Sequence, residues 1–231
     1  MIRGIVFDKD GTLFDFNATW GAWARGMLYS EAKGQPEVLA TLADVLGYDL
    51  VESRFRPSSI VIAETVDVVA DAILTVIDDA KPALVARMNA AARAVAQVEA
   101  APLRDLCADL VARGLVLGVA TNDAEAPARS HLSRAGVEAA FAFIAGYDSG
   151  HGGKPAPGQL RAFCAATDLP PEACVMVGDS LHDLHAGRAA GMLPVGVLTG
   201  PAPAEELAPH ADVVLPSIAA LPGWLDMRER A

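Results

Sequence analysis

The chain has 231 residues, 52% hydrophobic and 20% charged, which suits one large α/β domain or a core carrying a smaller inserted one and excludes disordered and fibrous classes. A formal net charge of −11 with only four lysines excludes a polyanion-binding surface, so no nucleic-acid partner is expected. Cys107, Cys164 and Cys174 are an odd number without C-x-x-C spacing, and no signal peptide or membrane span is legible, so a reducing cytoplasm is the expected setting.

Residues 2–7, IRGIVF, form a short β-branched and aromatic run, the pattern of a buried strand, and it stops at Asp8 and Asp10. Two carboxylates so placed repel each other and call for a cation, a proton or both. Strand alternation predicts that Lys9, between them, points away from both. Residues 17–98 then change character: alanine-rich segments with helix-spaced apolar positions are broken by Gly34, Gly47, Pro57 and Pro82, and predict a helical block. Trp20, Trp23 and Met27 make a core stripe of that block, with one of the tryptophans available to line a pocket.

After Pro102 helix and strand patterns alternate, the strands reading LVLGVATN, AFAFIAGYD, ACVMVGD, LPVGVLTG and ADVVLP. Such alternation predicts a mostly parallel sheet covered by helices on both faces. A single strand is not stable alone, so the first one belongs to this later sheet. The expected architecture is therefore α/β, a Rossmann-like doubly wound parallel sheet (residues 1–16 and 99–231) with an α-helical domain (17–98) inserted after the first strand.

In an open parallel sheet, ligands gather beyond the carboxyl ends of the strands. Polar stations lie at those ends: Asp8 and Asp10, then Thr121 and Asn122, then Asp179 with Asp183, while Lys154 sits in the Gly/Pro loop 146–158. Converging carboxylates without paired His or Cys favour a hard divalent cation, Mg2+. An EF-hand is excluded because Gly11 falls at loop position four and Thr19 occupies the place that needs Glu.

The segments DKDGT (8–12), ATN (120–122), GGKP (152–155) and GDSLHD (178–183) resemble, in order, the four motifs of the haloacid dehalogenase-like hydrolase superfamily, and the helical insert is similar to the cap of the subfamily that includes phosphoglycolate phosphatases. The resemblance implies a magnesium-dependent phosphatase of a small phosphorylated metabolite, phosphoglycolate among the candidates, working as a monomer or homodimer. It makes Asp8 the nucleophile that forms an aspartyl-phosphate and Asp10 the general acid and then base. Thr121, Asn122 and Lys154 would hold the phosphoryl group; Asp8, the Asp10 carbonyl, Asp179 and Asp183 would hold Mg2+. A β-phosphoglucomutase-type phosphomutase shares these stations, and a non-catalytic binding protein of the same fold is the alternative outside enzymology. Taken singly, Lys154 reads as a surface lysine, Asp179 and Asp183 as helix-capping acids, His151 and His182 as loop and helix-start residues, and Arg25, Arg54 and Arg56 as solvated.

Overall fold

The computed structural model describes residues 1–56, 58–62 and 64–230. Strand β1 (Gly4–Phe7) is buried along its whole length and hydrogen-bonds in parallel on both sides, to β4 (Val116–Ala120) and to β6 (Cys174–Gly178), with Ile5 opposite Leu117 and Val175. A strand flanked by others and covered on both faces has no solvent side, which is why its sequence is an uninterrupted apolar run. The intervening elements are α1 (Phe16–Ala32), α2 (Pro36–Val45), β2 (Tyr48–Asp49), β3 (Arg54–Phe55), α3 (Val66–Leu74), α4 (Lys81–Ala94) and α5 (Leu103–Ala112). Beyond β4 come α6 (Glu125–Ala135), β5 (Phe141–Ala145), α7 (Gly158–Thr167), then, after β6, α8 (Leu181–Ala190), β7 (Leu193–Val197), α9 (Ala204–Leu207), β8 (Val213–Leu215) and α10 (Leu221–Glu229).

The large sheet has the order β5-β4-β1-β6-β7-β8, and all of its pairings are parallel. Counted in chain order, its six strands run 3-2-1-4-5-6, the doubly wound arrangement, so the winding reverses between β1 and β6. Alternate side chains feed two cores. Ile5 and Phe7 join Val119, Val177 and Val195 beneath α5, α6 and α10; Val6, Ala120 and Met176 face α7 and α8 through Leu160, Phe163 and Ala186.

Residues of α1 to α4 gather a third apolar cluster of their own, including Trp20, Leu28, Leu42, Ile73, Leu84 and Met88. The hairpin of β2 and β3 inside this block departs from the all-helical expectation. Asp49 accepts from the amides of Val51 and Glu52 at 2.8 and 2.9 Å, which turns the chain back, while buried Tyr48 stacks edge-on against Phe55 at 5.1 Å and donates to the Gly21 carbonyl at 2.7 Å. Strands of two residues are too short to leave an alternating pattern.

The chain enters and leaves the block through adjacent segments. The Asp15 amide donates to the Val98 carbonyl at 2.8 Å, the Ala100 amide to the Leu13 carbonyl at 2.9 Å, and Phe14 bridges to Glu99. Asp15 also caps α1 by accepting from the Ala18 amide at 2.8 Å. Among the described residues no helix is long and apolar enough to cross a membrane.

Candidate active site

The carboxyl ends of β1, β4 and β6 meet where the winding reverses, and the polar stations come with them. The Asp8 amide donates to the Val177 carbonyl at 2.8 Å, so Asp8 leaves the sheet still tied to β6. A tight turn follows: the Lys9 carbonyl accepts from Leu13 and Phe14, and the Gly11 amide donates to the Phe14 carbonyl at 2.7 Å. Gly11 has φ of +80°, and a Cβ there would stand 2.3 Å from an Asp179 carboxylate oxygen. Both the backbone and the neighbour therefore require glycine. Thr12 donates from its hydroxyl to Asp179 Oδ1 at 3.1 Å.

Lys154 is buried, not a surface residue, and its Nζ lies 2.8 Å from Asp8 Oδ1 and 2.5 Å from Asp183 Oδ1. Asn122 positions it: the Asn122 amide group donates to the Lys154 carbonyl at 2.9 Å and its oxygen accepts from the Lys154 amide at 2.7 Å. Gln159, at the start of α7, donates to the carbonyls of Thr121 and Gly152, each at 3.0 Å, and so clamps the β4 end to the lysine loop. Burial works against the Lys154 charge, yet Asp183 and Asp8 outweigh it and hold the ammonium well above the ordinary lysine range.

Asp183 does two things at once. Its Oδ2 accepts from the Ser180 hydroxyl at 2.6 Å and the Ser180 amide at 3.1 Å, closing a capping box with the Ser180 side chain on the first turn of α8, while its other oxygen faces Lys154. Asp8, Asp179 and Asp183 each present an oxygen within 4.8 Å of the others. Burial, then repulsion from Asp183, pushes the Asp8 carboxyl up to about 7 although Lys154 pulls it down; burial with Asp183 and Asp8 raises Asp179 well above the carboxylate range. Three clustered acids facing one ammonium, with an all-oxygen donor set, fit a hard divalent cation.

Lys9 departs from the expectation that it points away. It is fully buried, its Nζ is 2.5 Å from Asp10 Oδ2 and 3.3 Å from Asp123 Oδ2, and it lies over the Trp20 ring at 5.4 Å. The alternation argument fails because regular strand ends at Phe7 and the turn reorients everything after it. Burial opposes this charge as well, but Asp10 and Asp123 raise the lysine pKa. Trp20 Nε1 donates to Asp10 Oδ1 at 2.7 Å, so each Asp10 oxygen holds a donor, one from the turn and one from α1. His131 on α6 receives Lys9 at Nδ1, 3.2 Å, and its Nε2 donates to the Ala92 carbonyl at 2.9 Å, a tautomer in keeping with a pKa pushed down to about 4 by burial and by Lys9.

The residues brought to one cleft are thus Asp8, Asp10, Thr121, Asn122, Lys154 and Asp183, with Asp179 buried against the Gly11 turn. Thr121 is buried and its hydroxyl accepts from the Asp123 amide at 3.0 Å. Across the cleft stand residues of the helical block, Trp20 and Trp23 among them, and Glu64, whose Oε1 is 3.8 Å from His182 Nε2. His151 lies outside, against Phe143, and Arg25 engages half-buried Ser53 while Arg54 and Arg56 engage exposed Glu52 and Asp44. Sequence reasoning missed Asp123 and His131. Asp123 directly follows the Thr-Asn pair, and His131 sits on the buried face of α6 beside Ala128 and Leu132, a polar residue in an apolar stripe.

Residues 2–191 match the sequence model of the haloacid dehalogenase-like hydrolases. A phosphoglycolate phosphatase of Xylella fastidiosa is 30% identical over 198 residues, 86% of this chain and 81% of that protein. Another, from Rhodospirillum rubrum, is 37% identical over 117 residues, 50% of this chain and 48% of that protein, so the chain spans about half the length of this relative in the match. Among solved structures, a predicted phosphoglycolate phosphatase from Haemophilus somnus superposes with a TM-score of 0.74 at 19% identity, covering 97% of this chain and 98% of that one. CbbY from Rhodobacter sphaeroides, in complex with phosphate, gives 0.69 at 25% identity and covers 96% of each chain.

Proposed function

The chain belongs to the haloacid dehalogenase-like hydrolases, and from that membership we propose that it is a magnesium-dependent phosphatase acting on a small phosphomonoester through an aspartyl-phosphate. The observation that carries this reading is Asp8 at the reversal point of the sheet, 2.8 Å from the Lys154 ammonium and beside the oxygens of Asp179 and Asp183. Asp8 Oδ attacks phosphorus while the P–O bond to the leaving alcohol breaks, and Asp10 gives that oxygen its proton. Asp10 then takes a proton from water, which attacks the aspartyl-phosphate, releases phosphate and restores the Asp8 carboxylate. Lys154, fixed by Asn122 and paired with Asp183, and the Thr121 hydroxyl hold the equatorial oxygens. Asp8, Asp179 and Asp183 would hold a divalent cation, whose positive charge would let an anionic nucleophile approach an anionic phosphate.

We further propose that residues 17–98 act as the cap that closes over the phosphate and excludes water, since Trp20 of that block bonds Asp10 directly. The curated relatives' name makes phosphoglycolate the first ester to try. The test is phosphate release with and without Mg2+, repeated on Asp8→Asn, together with acid-quench trapping of phosphoprotein. Magnesium-dependent release that disappears with Asp8→Asn, and label on the wild-type chain alone, is the expected result; release that survives Asp8→Asn overturns the mechanism.

A further inference from the structure

The cleft has two chemically different halves. On the core side stand Asp8, Asp10, Thr121, Asn122, Lys154 and Asp183, enough to hold and react a phosphoryl group. The side where the rest of the substrate must lie is built from the helical block, and its described lining is apolar: Trp20, Trp23, Val61, Ile62, Val69 and Met88 stand out. Trp20 and Trp23 meet edge to face at 5.1 Å, giving that half a broad aromatic wall. Its polar lining groups are Glu64 and Asn89.

No lysine or arginine of the block is among the described residues lining the cleft. The block has seven, and they are placed elsewhere. Arg25 donates to Ser53, Arg54 pairs with Glu52, Arg56 with Asp44, Arg87 with Glu31 and Asp79, and Lys81 with Asp71, while Lys33 and Arg93 are exposed. Lys154 is the one lysine or arginine in the described lining, and Asp8 and Asp183 already hold it. A second anion on the substrate, whether the carboxylate of phosphoglycolate or the other phosphate of a sugar bisphosphate, would have to lose its hydration among indoles and aliphatic chains and face Glu64 with no lysine or arginine to meet it; the remaining basic group in the described lining, His182, has its Nε2 3.8 Å from Glu64 Oε1.

Resting on the phosphatase reading, we infer that this enzyme takes phosphate esters of non-anionic alcohols with an apolar or aromatic body, and that Glu64 receives a donor or an ammonium group on that body. This distinguishes its substrate class from the one in its relatives' name. Phosphate release is compared, at saturating Mg2+, for phenyl phosphate, tyramine phosphate, 2-phosphoglycolate and a hexose bisphosphate. The aryl esters are expected to exceed phosphoglycolate in kcat/KM by roughly tenfold or more, the discrimination a hydrophobic pocket provides. Tyramine phosphate should lead phenyl phosphate, and Glu64→Gln should erase that lead.

Phosphoglycolate or the bisphosphate matching the aryl esters overturns the inference and leaves the phosphatase reading standing. Release from none of the four overturns the phosphatase reading itself. A second measurement separates the two: in Asp8→Asn, tryptophan fluorescence titrated with the same esters reads binding without turnover. Tighter binding of the aryl esters supports the pocket assignment, and equal or tighter binding of phosphoglycolate overturns it.

Discussion

Asp8, the nucleophile proposed above, is held in the native protein at a cost in stability. Its carboxyl stands at about 7 in the native protein against an ordinary 3.8, so between those values the native state keeps a proton that the unfolded chain has released. Stability from this group is complete below about pH 4 and is lost as pH rises through 7; the gap corresponds to on the order of 4 kcal/mol at most. Metal-free Asp8→Asn should therefore melt several degrees above metal-free wild type at pH 8, and the difference should shrink toward pH 4, as read by thermal melts in chelator. Adding Mg2+ should raise the wild-type melting temperature more than that of the variant. Lys9 makes the opposite case. Removing a buried ammonium leaves Asp10 and Asp123 facing each other, so Lys9→Met should destabilise by about 3–5 kcal/mol in urea unfolding, and adding Asp123→Asn should return part of the loss. Asp8 and its partner stations were legible because their motifs fall at strand ends. Lys9 was not, because its direction depends on the turn that follows the strand and on Trp20, Asp123 and His131, which only the fold brings to it.

At the scale of elements, the site is held by devices that also terminate structure. The first turn of α8 is capped by Ser180 and Asp183, so the helix and a carboxylate of the cluster share one hydrogen-bond set. Ser180→Ala should cost about 1 kcal/mol of stability and also raise the Mg2+ concentration needed for half-maximal activity, whereas an ordinary cap would affect stability alone. Asn122→Ala releases both backbone bonds to the lysine loop and should lower kcat more than it raises KM, since Lys154 then loses its placement while keeping its charge. The core elements were legible from helix and strand periods, because buried parallel strands and the helices that cover them write long patterns. The β2–β3 hairpin was not, being held by one Asp49 turn and the tertiary packing of Tyr48.

The described residues form three apolar clusters, two on the faces of the sheet and one confined to the helical block. A block with its own cluster, joined to the sheet domain by a paired double strand of chain, should open without melting the sheet. Hydrogen exchange is expected to be faster in α3 and α4 than in β1, β4 and β6, and a bound phosphate analogue should slow the helices more than the strands. Composition led to the expectation of a helical block, and residues of α1 to α4 do share an apolar cluster. The pocket's apolar character was not legible, because it depends on which faces of α1, α3 and α4 turn inward, and the arginines that the sequence offers point elsewhere. The junction itself carries a wider meaning. Leu13, Phe14 and Asp15 lie alongside Val98, Glu99 and Ala100, so residues 16–97 hang from what is geometrically the neck of a hairpin. On the reading proposed above, a graft at that neck would exchange the surface that meets the substrate and leave Asp8, Lys154, Asp179 and Asp183 on the sheet, which makes the fold a socket into which new specificities can be fitted one insert at a time.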